Sequence, residues 1–285
     1  MSAARTDAIA RISTDDVTEW WSTAISDIEP GIIRLRGYPI EQLIAKASFA
    51  ETIWLMVRGE FPRPEHAELL ERALVAAVDH GPQAPSIAAA RMAATCGVGL
   101  HGAISTGVGL LGDVHGGAGQ QCMRVLEQIH TDALTEDLTV VIARLLSRYR
   151  DQGRYVPGFG HRFHPRDPRR DPLLDAAHDH ITRGTIAGQY VTIAEELERQ
   201  LAAGRSKPVP MNIDGVTAVI YSELGFDPEL GRGLFILSRS VGILAHSWEE
   251  SRSGRRIKGP IPPPLLPAYG GAEPRKVPSP RVVHK

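Results

Sequence analysis

Apolar residues recur three and four positions apart through most of this chain, the spacing of one helix face. "IEQLIAKASFAETIWLMVRGE" carries that pattern and stops at Gly59. "PEHAELLERALVAAVDH" opens on Pro64 and a charged first turn, then continues amphipathically. "SIAAARMAATCGVGLHGAISTGVGLLG" is rich in Ala and Gly with almost no charge, which predicts one or two buried helices packed closely against neighbours. "GQQCMRVLEQIHT", "EDLTVVIARLLSRYRD", "DPLLDAAHDHITRG" and "QYVTIAEELERQLAAG" predict further helices of modest length. "GVTAVIYSELGF" is β-branched enough to leave helix and strand both open. "ELGRGLFILSRSVGILAHSWEESRSG" predicts a long, largely buried helix, and the prolines of the tail that follows forbid a helix interior. No strong period-2 run stands out. The pattern predicts an all-α fold. Edges near Gly116 and Gly225 to Asp227 divide it into a large domain of residues 1–116 and 226–285 and a smaller one of 117–225.

Composition narrows the picture. At 285 residues, 42% hydrophobic and 23% charged, the chain can bury a sizeable core. A formal net charge of −1 gives no global field to recruit nucleic acid. The start, "MSAARTDAIARISTDD", lacks the apolar region of a signal peptide, and no apolar run is long enough for a bilayer. Cys96 and Cys122 form no CxxC pair, which suits reduced thiols in a cytoplasmic protein.

The polar residues that packing does not explain gather in a few segments. "VPGFGHRFHPRDPRRDP", residues 156–172, crowds His161, His164 and several arginines into an irregular loop. A solvated basic turn is one reading; a site for an acidic substrate with a proton-donating histidine is the other. The HxxH spacing of His161 and His164 lacks acidic or thiol partners, so no metal is expected. His80 follows an apolar helix, where it serves as a cationic cap or as a ligand. His115 precedes Gly116 and Gly117 at a helix start, where the dipole favours a neutral imidazole able to donate to an oxyanion; an exposed turn is the alternative. Asp214 in "NIDG" is placed for a helix N-cap or for a desolvated general base.

In order along the chain, these segments resemble motifs of the citrate synthase superfamily. "GIIRLRGYPIEQLIAKASFAETIWLMVRGEFP", "VDHGP", "GDVHGGA", "PGFGHRFHPRDPR", "NIDGVTAVIYSELG" and "LSRSVGILAH" each match one. The resemblance implies a helical fold of a large domain and a smaller mobile one, assembled as a homodimer. It implies His115, His161 and Asp214 as catalytic residues: His115 steadies the enol of an acetyl thioester, Asp214 moves a proton on its methyl carbon, and His161 works on the oxygen of the other carbon. It implies His80, Arg169 and Arg239 as ligands for the carboxylates of a di- or tricarboxylate, and Arg162 and Arg166 as contacts to CoA. CoA thioester is then a substrate, with no tightly bound cofactor. Synthases also carry an arginine in an "R-x-x-RP" segment, donated across the dimer. Here the segment reads "GRRIKGPIPPP" with Gly259 in its place, and Lys258 or Arg256 is the nearest substitute.

Details such as "DHGP" and "NIDG" are closer to short citryl-CoA lyase-like members, akin to the C-terminal module of ATP-citrate lyase. Cleavage of citryl-CoA to acetyl-CoA and oxaloacetate is therefore the first expectation. Condensation of an acyl-CoA with a 2-oxo acid is the second. A CoA-thioester-binding protein without catalysis is the third, and the filled catalytic positions weigh against it.

Overall fold

The computed structural model describes residues 18–161, 164–259, 265 and 267–277. Helices make up most of it, with one small sheet. The sheet is an antiparallel meander of β1 (Ser26–Glu29), β2 (Ile32–Leu35) and β3 (Tyr38–Pro39). Its strands are too short for a period-2 signal to emerge from the sequence. Arg36, after β2, ties the sheet to the helices through Met56 O at 2.8 Å.

The first helical pattern is two helices, α1 (Ile40–Lys46) and α2 (Phe49–Arg58). Ser48 breaks it with a capping box. Glu51 N–H donates to Ser48 Oγ at 3.2 Å, and Ser48 N–H donates to Glu51 Oε2 at 2.7 Å. Then come α3 (Pro64–Ala77), α4 (Pro85–Ala94), α5 (Gly99–Gly109), α6 (Ala118–Ala133) and α7 (Leu138–Asp151). Proline opens α3 and α4, where a missing N–H costs nothing. The rest are α8 (Arg170–Thr182), α9 (Gln189–Ala202), α10 (Ile213–Glu223) and α11 (Pro228–Arg252).

The ambiguous segment is α10, buried along nearly its whole length and packed by α3, α6, α8 and α9. Burial on every side offsets its weak helix propensity. The last carboxylate of α10, Glu223, accepts the amides of Gly188, Tyr190 and Val191 at 2.9, 2.7 and 3.2 Å and so caps α9. The main core runs from Ile53 to Leu234 and joins residues on both sides of 116–117 and 225–226. A smaller cluster of Ala84, Ile87, Ala90, Leu111 and Ile243 holds α4 and the turn after α5 against α11.

Two helical segments depart from the expectation of burial. Met92, Val98 and Leu110, on or beside α4 and α5, are exposed. On α11, Leu237, Val241, Leu244 and Trp248 are 47%, 54%, 44% and 51% exposed, and they follow one another at steps of four, three and four. Among the described residues, no helix is long and apolar enough to cross a membrane.

Candidate active site

His115 lies in the turn before α6, and its ring meets the start of α4. Its Nε2 accepts the Ser86 N–H at 3.2 Å and lies 3.0 Å from Ser86 Oγ. Ser86 is the second residue of α4, so its amide has no partner within the helix. With Nε2 as acceptor, the neutral ring carries its proton on Nδ1. Burial, and then the charge of Arg239, hold the imidazole pKa below its usual value. His115 is thus a neutral donor at pH 7, suited to an oxygen on which negative charge develops.

His161 sits on a loop laced to the start of α10. Phe159 bridges Met211, the Gly160 amide donates to Pro210 O at 2.7 Å, and the Asn212 amide donates to Gly158 O at 3.0 Å. The Asn212 side chain adds a bond to Gly160 O at 2.6 Å. Gly158 makes the close approach possible: its φ is +84°, and a Cβ there would lie 2.7 Å from Cys122 Sγ and 2.8 Å from Gly215 Cα. His161 Nδ1 accepts the His164 N–H at 3.0 Å, so the neutral ring holds its proton on Nε2. Burial depresses its pKa; the Asp167 charge opposes this, while His164 and Arg169 add to it. The two histidines of the HxxH pair are thus joined by a bond from one backbone amide to the other's ring. Among the described residues, no group of three His, Cys, Asp or Glu side chains is placed to hold a metal ion.

Asp214 does not cap its helix, contrary to one of its two sequence readings. Asn212 does: its Oδ1 accepts the amides of Asp214 and Gly215 at 2.9 and 3.2 Å. Burial lifts the Asp214 carboxyl above the usual carboxylate range, against the pull of Arg239 and Arg169. This is the direction expected of a general base that must take a proton from carbon.

His80 lies beyond Val78, the C-cap of α3, so it is no helix cap. Its ring is 5.6 Å from that of His161. Burial lowers its pKa, and the charges of Arg169, Arg239 and His161 lower it further. Arg239 is 4% exposed; its Nε donates to Ala77 O at 3.1 Å and its guanidinium lies 4.9 Å from the centre of the Phe235 ring. Arg169 is aimed by Asp167, which receives its Nε and Nη2 protons at 2.9 and 2.8 Å.

Asp167 was not singled out in the sequence, and it holds three parts together. It is 1% exposed and also accepts the amides of Arg169 and Ile213, at 3.0 and 3.1 Å. Burial alone would push its carboxyl up, yet these bonds hold it down at about 2. The visible signal was its place in "DPR". Ser86 gave none, because its partner is 29 residues away. Arg239 feels or exerts charge on His80, His115 and Asp214, and Arg169 on His80, His161 and Asp214, so the two arginines link the six residues into one site.

Beside His161 opens a cleft of about 810 Å³, lined by Tyr149, Arg150, Arg154, Tyr155, Gly160 and Arg205 among others. Among the described residues, Arg150, Arg154 and Arg205 have no carboxylate partner. Arg166 is not among the residues that line this cleft and is forked onto Asp171 at 2.7 and 2.7 Å. Arg162 lies outside the described residues.

The helical frame thus gathers imidazoles, a buried carboxyl and two arginines beside a cationic cleft. The family model "Citrate synthase, C-terminal domain" matches residues 17–68 and 56–260. The chain belongs to the citrate synthase family.

The citrate synthase of Haloferax volcanii is 31% identical over 222 residues, covering 77% of this chain and 55% of that protein. This chain thus spans about half the length of the curated relatives it matches. The structure of citryl-CoA lyase from Hydrogenobacter thermophilus superposes with a TM-score of 0.81 at 31% identity, covering 90% of this chain and 97% of that one. A Methanosaeta concilii ATP citrate lyase structure, in complex with (3S)-citryl-CoA, shares the fold at a TM-score of 0.75 and 20% identity, covering 96% of this chain and 45% of that one.

Proposed function

We propose that this protein is a citryl-CoA lyase-like enzyme, cleaving citryl-CoA to acetyl-CoA and oxaloacetate. The observation that carries the reading is the near end-to-end match to a citryl-CoA lyase, 97% of whose chain is covered. His80, Arg169 and Arg239 hold the carboxylates. His161 takes the hydroxyl proton, the carbon–carbon bond breaks, and His115 donates from Nδ1 to the enolate oxygen of the leaving thioester. Asp214 returns a proton to carbon. The CoA portion lies in the cleft beside His161, with Arg150, Arg154 and Arg205 facing its phosphates and Tyr155 offering a stacking surface.

One observation favours the reverse direction. With the His164 amide on Nδ1, neutral His161 already carries its proton on Nε2. That is the form that gives a proton to a carbonyl oxygen, as a condensation of acetyl-CoA with oxaloacetate requires. The ratio of kcat/KM for citryl-CoA cleavage to that for condensation decides between them. Cleavage is expected to dominate, and Gly259→Arg is expected to raise condensation by about one to two decades, the worth of one charge-assisted hydrogen bond. Condensation equal to cleavage in the unmutated protein overturns the lyase reading. In the same assay Arg205→Gln should raise KM for the thioester while leaving kcat nearly unchanged; an unchanged KM removes Arg205 from the CoA site.

The protein works as a homodimer in this reading. The stripe of Leu237, Val241, Leu244 and Trp248 repeats at the spacing of a two-helix seam, and a second copy would cover it together with Met92 and Leu110. Sedimentation at micromolar concentration should give a dimer, and a monomer there sinks the assignment.

A further inference from the structure

A chain of polar contacts runs from the segment after α11 to the loop that carries His80. Its far end is Lys258. The Lys258 amide donates to Thr95 Oγ1 at 2.9 Å, just past α4, and its ammonium lies 3.3 Å from Glu250 Oε1. Glu250 is 3% exposed, and its Oε2 receives Arg91 Nη2 and Nε at 2.5 and 2.7 Å. Arg91 Nη1 reaches His246 Nδ1 at 3.3 Å. On the other side of that ring, His246 Nε2 is 3.2 Å from Asp79 Oδ1. Asp79 Oδ2 then accepts the Gly81 amide at 3.1 Å, across His80.

The chemistry fixes the roles along this chain. A guanidinium only donates, so His246 Nδ1 is the acceptor and the neutral ring donates from Nε2 to Asp79. Burial pulls the Asp79 carboxyl up, but the Gly81 amide, His246 and the His80 amide together hold it below the usual range. It is therefore an anion with a donor on each side of the His80 peptide. The backbone beside it is clamped as well: the Gly242 amide donates to Val78 O at 3.1 Å, and a Cβ on Gly242 would sit 2.9 Å from Asp79 Oδ1. Helix α11 thus grips both the main chain and the carboxylate next to His80.

We propose that His246 is a positioning residue for His80, acting through Asp79, and that Arg91, Glu250 and Lys258 couple the placement of the segment after α11 to that of His80. Two ion pairs, Lys258 with Glu250 at 3.3 Å and His246 with Asp79 at 3.2 Å, are joined by the hydrogen bonds of Arg91 to Glu250 and to His246. Glu250 Oε1 is buried and receives no hydrogen bond, so moving Lys258 removes the cation that faces it, and the change in charge reaches Arg91 and His246. The proposal rests on reading His80 as a carboxylate ligand only for its effect on binding; the placement of the ring is separate.

His246→Leu and His246→Gln test it. Gln keeps one acceptor for Arg91 and one donor for Asp79, whereas Leu keeps bulk and removes both. The first readout is the His80 imidazole resonance in isotope-labelled, unliganded protein, assigned with His80→Asn. The second is calorimetric titration with citrate and, separately, with CoA. His246→Leu should move the His80 signals and weaken citrate by about tenfold, with CoA changed less than about twofold; His246→Gln should stay close to the parent. Lys258→Met should move the same His80 signals, and it serves alone if His246→Leu does not fold. Unmoved His80 signals in His246→Leu or Lys258→Met overturn the coupling. Equal weakening of citrate and CoA, or a Gln variant as impaired as the Leu variant, overturns the positioning role. If the parent binds no citrate, the functional reading fails while the His80 resonance still decides this one.

Discussion

Asp214→Ala should leave a folded protein whose turnover is lower by about 10²–10⁴-fold, the usual cost of losing a positioned base. The fold should survive because Asn212, not Asp214, caps α10. Removing the carboxylate takes no hydrogen bond from the helix start, since Asp214 enters that cap only through its backbone amide. It also removes a buried acid whose ionised form is disfavoured by burial. Thermal melting beside kcat checks both halves: an unchanged melt with near-parental turnover withdraws Asp214 from the reaction.

The second large effect is expected at Gly158. Gly158→Ala forces a side chain into a left-handed conformation, at φ +84°, against Cys122 and Gly215. Strain of about 1–3 kcal/mol and overpacking of about 1–3 kcal/mol add to roughly 2–6 kcal/mol. Because the same loop carries His161, catalysis should fall along with stability. Gly153→Ala is the control: its φ is +61° with nothing within 4 Å, so it meets strain without a clash. Denaturant midpoints compare the two. Equal losses at both positions would mean that the Gly158–Gly215 contact contributes nothing.

The helices were legible because their apolar period survives packing, and α11 shows where that legibility ends. Its sequence reads as buried, yet Leu237, Val241, Leu244 and Trp248 are open in the single chain. Periodicity reports that a face is apolar, not what covers it. The break at Ser48 was written in the sequence as a capping box, S-x-x-E, inside a run whose hydrophobic pattern concealed it. For α10 the β-branched residues misdirect, because burial rather than propensity decides its conformation. In the candidate site, each expected residue fell in a segment already marked by Gly, Pro or His. What stayed hidden were the partners. Ser86 and Asp167 act through contacts that folding creates, the former between segments with no common motif and the latter across 46 residues to Ile213. Asn212 was hidden for another reason, since either it or Asp214 could cap from sequence alone.

The lacing between the His161 loop and the start of α10 has a kinematic consequence. Gly158, Gly160 and Asn212 lock that loop to Asp214, and Asp167 binds Arg169 to the same unit through the Ile213 amide. His80 and His115 are held instead at the ends of α3 and α4, and Arg239, midway along α11, is tied to Ala77 O at the end of α3. Any motion that opened this site would therefore divide it into two triads, with His161, Arg169 and Asp214 kept together on one side as a single jaw and His80, His115 and Arg239 on the other.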